Sequence, residues 1–172
     1  TDRGIRLKSR RGRGGVIEDV RVNNIVMTDV LCPLAINLFY ACGRWGDAWV
    51  SNKQPQARNA GTPRIRHIHL SNISVRGAKL AAAFVYGLPE MPIEELTVSD
   101  MQIQMATEAQ PGYAEMADEI DLMSRHGFFV RNAHGVCLRN VRIDGQQGAA
   151  WATCRRWKST RAGRRRLRRT RR

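Results

Sequence analysis

Apolar residues recur along this chain in alternating steps of three and two. In IRHIHLSNISV, residues 65–75, they are Ile65, Ile68, Leu70, Ile73 and Val75, with Asn72 between Leu70 and Ile73. VIEDVRVNNIVM repeats the pattern with Ile17, Val20, Val22, Asn24, Ile25 and Met27. IEELTVSDMQI repeats it with Ile93, Leu96, Val98, Asp100, Met101 and Ile103. HGVCLRNVRI keeps Val136, Leu138, Asn140, Val141 and Ile143. Four copies of one unit make this a repeat protein, and the fold follows from the unit.

On a helix, the five apolar positions would point at about 0°, 300°, 140°, 80° and 280°, which defines no face. A single strand fails as well, because each step of three breaks its alternation. Two short strands meeting at the Asn or Asp satisfy the pattern, since these residues tolerate left-handed backbone and bond to it locally. Stacked L-shaped units give parallel sheets around one core, with the corner Asn side chains forming a ladder. The expected fold is therefore all-β, a parallel β-helix; the rival is a β-sandwich of strands that share the spacing by coincidence. Corners at 24, 72, 100 and 140 are 48, 28 and 40 residues apart, so loops of unequal length leave a regular coil.

Between the repeats lie further strands. Ile5 to Lys8 precedes the basic, Gly-rich turn RRGRGG. Ile36, Leu38 and Tyr40 alternate as one strand face, and LAAAFVYGLPEMP reads as a strand ending in a Gly-Leu-Pro turn. Residues 43–63 form a long polar excursion containing Trp45 and Trp49, whose rings either stack on sugar faces or pack the loop onto the coil. Ala114 to Met123 is expected to form one or two helical turns, and GFFVRN to form a strand.

The formal charge of +14 changes this picture less than its size suggests. Of 29 Lys and Arg, 11 fall in residues 151–172, which contain no acid; the other 150 residues carry 18 bases and 15 acids. We divide the chain into a coil-forming body, 1–150, and an Arg-rich tail, 151–172, expected to be disordered. The tail reads either as an arm for nucleic acid or an anionic surface, or, preferably, as translation out of frame in a GC-rich gene. No apolar run of about 20 residues spans a membrane. The sequence opens at Thr1 in mid-pattern, as expected of a fragment. Cys32, Cys42, Cys137 and Cys154 lack paired CxxC spacing; three sit in or beside apolar segments, as buried free thiols do. No metal site and no cofactor is expected.

GIRLKS, then RRGRGG, then V-x-x-[IV]-x-[VF]-x-N-I-x-M resembles the polygalacturonase family, glycoside hydrolase family 28, over about residues 3–148. TPRIRHIHLSNI and GLPEMPIEEL look like its later coils. The resemblance implies a right-handed parallel β-helix, here the C-terminal coils, in an inverting enzyme that hydrolyses α-1,4-galacturonosyl bonds of pectin. Its substrate-binding R-x-K motif matches Arg6-Leu7-Lys8, and a tyrosine near the reacting subsite corresponds to Tyr40. Residues two apart on a strand share a face, so Arg6 and Lys8 would stand together over a cleft. A guanidinium fork and an ammonium suit a polymer with a carboxylate on every sugar. A parent of this kind is secreted or periplasmic.

The family's N-x-D, Asp-Asp and G-H-G motifs, which carry the catalytic groups, are missing from the sequence. Inverting hydrolysis needs an acid and a base carboxylate flanking a water. Asp118, Glu119 and Asp121 cluster on what reads as a surface loop, and Arg125-His126-Gly127 and Ala133-His134-Gly135 read as turns into strands. No catalytic residue is assigned; the chain by itself is expected to bind pectin oligosaccharide without cleaving it. Two rivals are a non-catalytic carbohydrate-binding β-helix and a basic nucleic-acid-binding protein acting through the tail.

Overall fold

The computed structural model describes residues 2–147, and the backbone alone at Trp151–Ala152 and Lys158–Ser159. Disorder was expected for 151–172; of these, residues 153–157, Cys154 among them, and 160–172 lie outside the described residues, as do 148–150.

The corners organise what is seen. Asn24, Asn72, Asp100 and Asn140 all adopt left-handed backbone, at φ 58°, 54°, 51° and 50°. Each bends a strand: β3 (Arg21–Thr28), β5 (Arg64–Ala78), β7 (Ile93–Met105) and β10 (Cys137–Asp144). These strands pair in parallel, β3 on β5, β5 on β7 and β7 on β10, with the corners in register. Val22, Leu70, Val98 and Leu138 form one apolar column before the corner, and Met27, Val75, Ile103 and Ile143 another after it. At the corner Asn72 Nδ2 donates to Asn24 Oδ1, and Asn140 Nδ2 donates to Asp100 Oδ1 at 2.7 Å. The ladder exists in two rungs.

The sequence pattern holds a second corner that was not anticipated. Asp19, His67 and Glu95, inside the first step of three, have φ of 54°, 54° and 55°. The fourth repeat places Gly135 there, beside Glu95. Both steps of three turn the chain, so β5 and β7 are bent strands wrapping two edges of the core. β2 (Val16–Glu18) pairs with the start of β5, and β9 (Ala133–His134) with the start of β7.

A second parallel sheet contains β1 (Arg3–Lys8), β4 (Cys32–Asn37), β6 (Ala81–Tyr86) and β8 (His126–Arg131), in that order. β11 (Trp151–Ala152) extends it beside β8, and β12 (Lys158–Ser159) pairs with β10 in the other sheet. The two sheets enclose one core that includes Leu34, Ile36, Val85 and Phe128 from this sheet and Ile68, Leu70, Ile73 and Val98 from the other. Each such side chain, removed from water, contributes roughly 1.5–3 kcal/mol. The architecture is all-β with parallel sheets; the one helix among the described residues is α1 (Ala48–Ser51), a single turn capped by Asp47.

Three local expectations are corrected. β4 ends at Asn37, so Leu38 and Tyr40 are not on it; Asn37 Oδ1 accepts the Phe39 N–H at 2.8 Å and turns the chain. Residues 114–123 form no helix, because their carbonyls bond elsewhere: Ala114 O accepts from Arg3 Nε, and Met116 O from the Ala41 N–H. Among the described cysteines only Cys32 is buried as expected; Cys42 is exposed and Cys137 intermediate. Burial pushes the Cys32 thiol up to about 12.

Candidate anion-binding face

Alternation along β1 sends Ile5 and Leu7 towards the core and Arg6 and Lys8 to the opposite side. In register with Arg6 stand Ala35, Phe84 and Phe129; in register with Lys8 stand Asn37, Tyr86 and Arg131. This outer face is partly roofed by residues 41–62 and 112–123.

The structure brings the three expected residues together. The Lys8 ammonium lies 4.4 Å from the centre of the Tyr40 ring and donates to Tyr40 Oη at 3.1 Å. The Arg6 guanidinium is 5.2 Å from the same ring and that of Arg13 is 5.5 Å away. Tyr40 is itself buried, so three cations gather around one aromatic group at the mouth of the roof.

Arg6 and Lys8 nevertheless have different partners. Arg6 Nε donates to Glu115 Oε2 at 2.8 Å, and its Nη2 donates to Glu115 Oε1, so an internal carboxylate fills the fork. Glu115 is fully buried, and its hydrogen bonds raise the Arg6 pKa further. With Arg3 donating to Tyr113 O and Ala114 O, Arg6 fastens the 113–115 segment to β1. Lys8 is exposed, has no acid partner among the described residues and presents its charge to solvent, as does the exposed Arg13.

Sequence reasoning missed a second centre. Arg11, read as part of a basic turn, is 1% exposed. It donates to both Glu90 oxygens, at 2.7 and 2.9 Å, and to the carbonyls of Trp49 and Asn52, at 3.0 and 2.7 Å. Burial opposes the Glu90 charge, but the Arg11 hydrogen bonds outweigh it and hold the carboxyl below its usual range. Nothing in the sequence distinguished Arg11 from Arg10 or Arg13. The loop it anchors carries Lys53, whose ammonium lies 4.3 Å from the Phe39 ring and 5.5 Å from the Tyr86 ring. Burial lowers the Lys53 pKa. Two residues beyond Phe129, Arg131 folds back over that ring at 5.3 Å.

The remaining candidates resolve structurally. Asp118 accepts the Gly46 N–H at 3.0 Å and the Ser51 hydroxyl, tying the two roof segments together, while Glu119 and Asp121 are exposed. His126 begins β8; His134 closes β9. Trp49 lies against Gly12, where an added Cβ would come within 3.1 Å of the ring; it is 40% exposed, and Trp45 is 56% exposed. On the other sheet, donor atoms of Glu18, Asp19 and His67 lie within 4.8 Å of one another. Glu18 is taken by Arg66 at 2.6 Å, and His67 sits between Asp19 and Glu95, so we assign no metal there. An open cleft of about 250 Å³ on that sheet, lined by Ser74, Arg76, Gln102, Gln104 and Asp144, has no aromatic floor. Cations over aromatic rings occur on the sheet of β1, β4, β6 and β8, which makes it the candidate site.

No family model, no curated protein and no solved structure matches the chain.

Proposed function

We propose that this chain forms coils of a right-handed parallel β-helix of the polygalacturonase type and binds the carboxylates of a galacturonan through Lys8. The stacked, in-register corners at Asn24, Asn72, Asp100 and Asn140 support the solenoid. The observation that carries the functional reading is the Lys8 ammonium, exposed and seated on the Tyr40 ring, with Arg6 on the same ring. An ammonium held over an aromatic face is pre-oriented and incompletely paired, as a sugar carboxylate requires. Arg6, expected to share the substrate carboxylate, instead ties the 113–115 segment to β1 through Glu115. The parent reaction is single-displacement hydrolysis of α-1,4-galacturonosyl bonds, in a secreted or periplasmic enzyme. This chain contributes binding, since its sequence contains no N-x-D, Asp-Asp or G-H-G motif.

Calorimetric titration of the 172-residue chain tests this. Unesterified polygalacturonate should bind, and Lys8→Gln should weaken it by about tenfold, the value of one charge-assisted hydrogen bond. The fully methyl-esterified polymer should bind no better to the unaltered chain than to the variant. No reducing ends should be released. Equal loss on both polymers would make Lys8 a structural residue, and turnover by this chain would overturn the binding-only assignment.

A further inference from the structure

Between β7 and β8 the chain forms no further strand or helix and returns on itself at one antiparallel bridge. The Gly112 N–H donates to Met123 O at 3.0 Å, and the Met123 N–H to Gly112 O at 2.8 Å. Residues 113–122 thus make a strap with a pinched base, as compact surface loops do. The strap is exposed at Tyr113 and Leu122 but carries Glu115 to full burial. Both Glu115 oxygens lie on the Arg6 fork, and Oε1 also accepts the Met116 N–H at 2.6 Å. Asp2, an exposed acid, stands 3.6 Å from Arg6 Nη1. Two carboxylate oxygens on one guanidinium are what an anionic sugar would present to the same group. Lys8 projects from the same face of β1 two residues on, so Glu115 fills the position beside the exposed ammonium.

We propose that Glu115 is an internal stand-in for the ligand carboxylate, and that its strap withholds Arg6 until a galacturonan displaces it. The strap rests on the galacturonan reading of Lys8 and adds the regulation of that site. Exchanging one carboxylate for another on Arg6 conserves charge and hydrogen bonds at the guanidinium. The strap's other bonds near Glu115 therefore set the threshold for opening. Arg3 donates to Tyr113 O and Ala114 O, and the Ala41 N–H and Asn37 Nδ2 donate to Met116 O. Farther along, Asp118 accepts from Gly46 and Ser51 and keeps that end of the strap on the roof. The parallel pairing of β1 with β4 uses none of these bonds, so opening leaves the sheet intact. A ligand shifts such an equilibrium only by binding one form better than the other. Arg6 supplies that difference, because its fork is free only in the open form.

Glu115→Gln keeps the size of the side chain and removes its charge. In calorimetric titration with unesterified hexagalacturonate, this variant of the full chain should bind about tenfold more tightly than the unaltered chain. Adding Arg6→Gln to Glu115→Gln should abolish the gain. Binding by Glu115→Gln beside none by the unaltered chain is the same result in stronger form. The unaltered chain gives a reading that needs no substitution: saturating hexagalacturonate should speed hydrogen exchange at the Met116 amide, whose acceptor is Glu115. No gain in a Glu115→Gln variant that still melts cooperatively overturns the strap, and so does unchanged or slower exchange at Met116. A gain that survives Arg6→Gln overturns it as well. Loss of binding in Lys8→Gln beside any of these leaves the Lys8 reading standing. Absence of binding by both the unaltered chain and Glu115→Gln overturns the two together.

Discussion

Around the corners at Asn24, Asn72, Asp100 and Asn140, one sheet repeats itself almost without variation. Its inward columns are aliphatic or Met, and outward residues such as Ser74, Arg76, Gln102 and Gln104 are open to solvent. The sheet of β1, β4, β6 and β8 pairs in the same parallel way, yet outward positions carry Arg6, Lys8, Phe84, Tyr86 and Phe129 under a roof of loops. The first surface is held by local repetition: each parallel strand supplies what its neighbour needs. The second is held by single long-range contacts, Arg6 to Glu115 and Arg11 to Glu90, which are not repeated from strand to strand among the described residues. The regular parallel strands provide stability, and the irregular face can therefore carry partly desolvated cations.

That contrast is broken most severely at Arg11 and Glu90. Glu90→Ala leaves a guanidinium buried without its carboxylate and should cost about 3–5 kcal/mol in urea unfolding. Replacing both residues, as in Arg11→Met with Glu90→Leu, should cost less than the single change, because no unpaired charge remains. Acid should act here too. The folded-state pKa of Glu90 lies below its unfolded value, which is about 4.3. Its contribution is thus fully present above that value and is lost as pH falls through the lower folded one. In Glu90→Gln the acid limb of stability below about pH 4 should flatten. An unchanged limb would mean the pair is formed in the unfolded chain as well.

On the regular side, Ile73→Ala removes a 1%-exposed side chain from the apolar stack and should cost roughly 3 kcal/mol, from lost transfer energy and the cavity left behind. Anion binding on the sheet of β1, β4, β6 and β8 should be untouched in the fraction that remains folded. If Ile73→Ala weakens polygalacturonate binding at full occupancy of the folded state, the two surfaces are coupled and do not act as independent units.

The sequence was most readable where residues repeat. Four matched Asn/Asp corners revealed the parallel stack, because a step of three in an alternating strand admits few backbone solutions. The second corner was visible in the same steps and overlooked, since His67 and Glu95 are not residues that advertise left-handed backbone. At the site, the alternation of Arg6 and Lys8 placed both on one face, and Tyr40 joined them. What stayed hidden was pairing across distance. Glu115 is 109 residues from Arg6 and Glu90 is 79 from Arg11, and an acid in a polar stretch gives no sign of the base it will meet. The expected helix at 114–123 failed for the same reason: its carbonyls are claimed by Arg3, Asn37 and Ala41 from earlier in the chain.

The smallest expected effect separates two contributions at one corner. Asn72 has φ of 54° and also donates its side-chain amide to Asn24. Asn72→Ala should lose both the tolerance for left-handed backbone and the ladder bond, about 1–2 kcal/mol for the backbone alone. Asn72→Gly restores that tolerance, so its cost isolates the exposed ladder bond, about 0.5–1 kcal/mol, together with the added chain entropy of glycine. Asn24→Ala removes the acceptor and places alanine at its own left-handed position, φ 58°. A double-mutant cycle between Asn72→Gly and Asn24→Gly therefore reads the ladder bond without backbone strain. A coupling energy near zero would show that the corners are set by backbone preference, and that stacking of the amides follows from the coil without stabilising it.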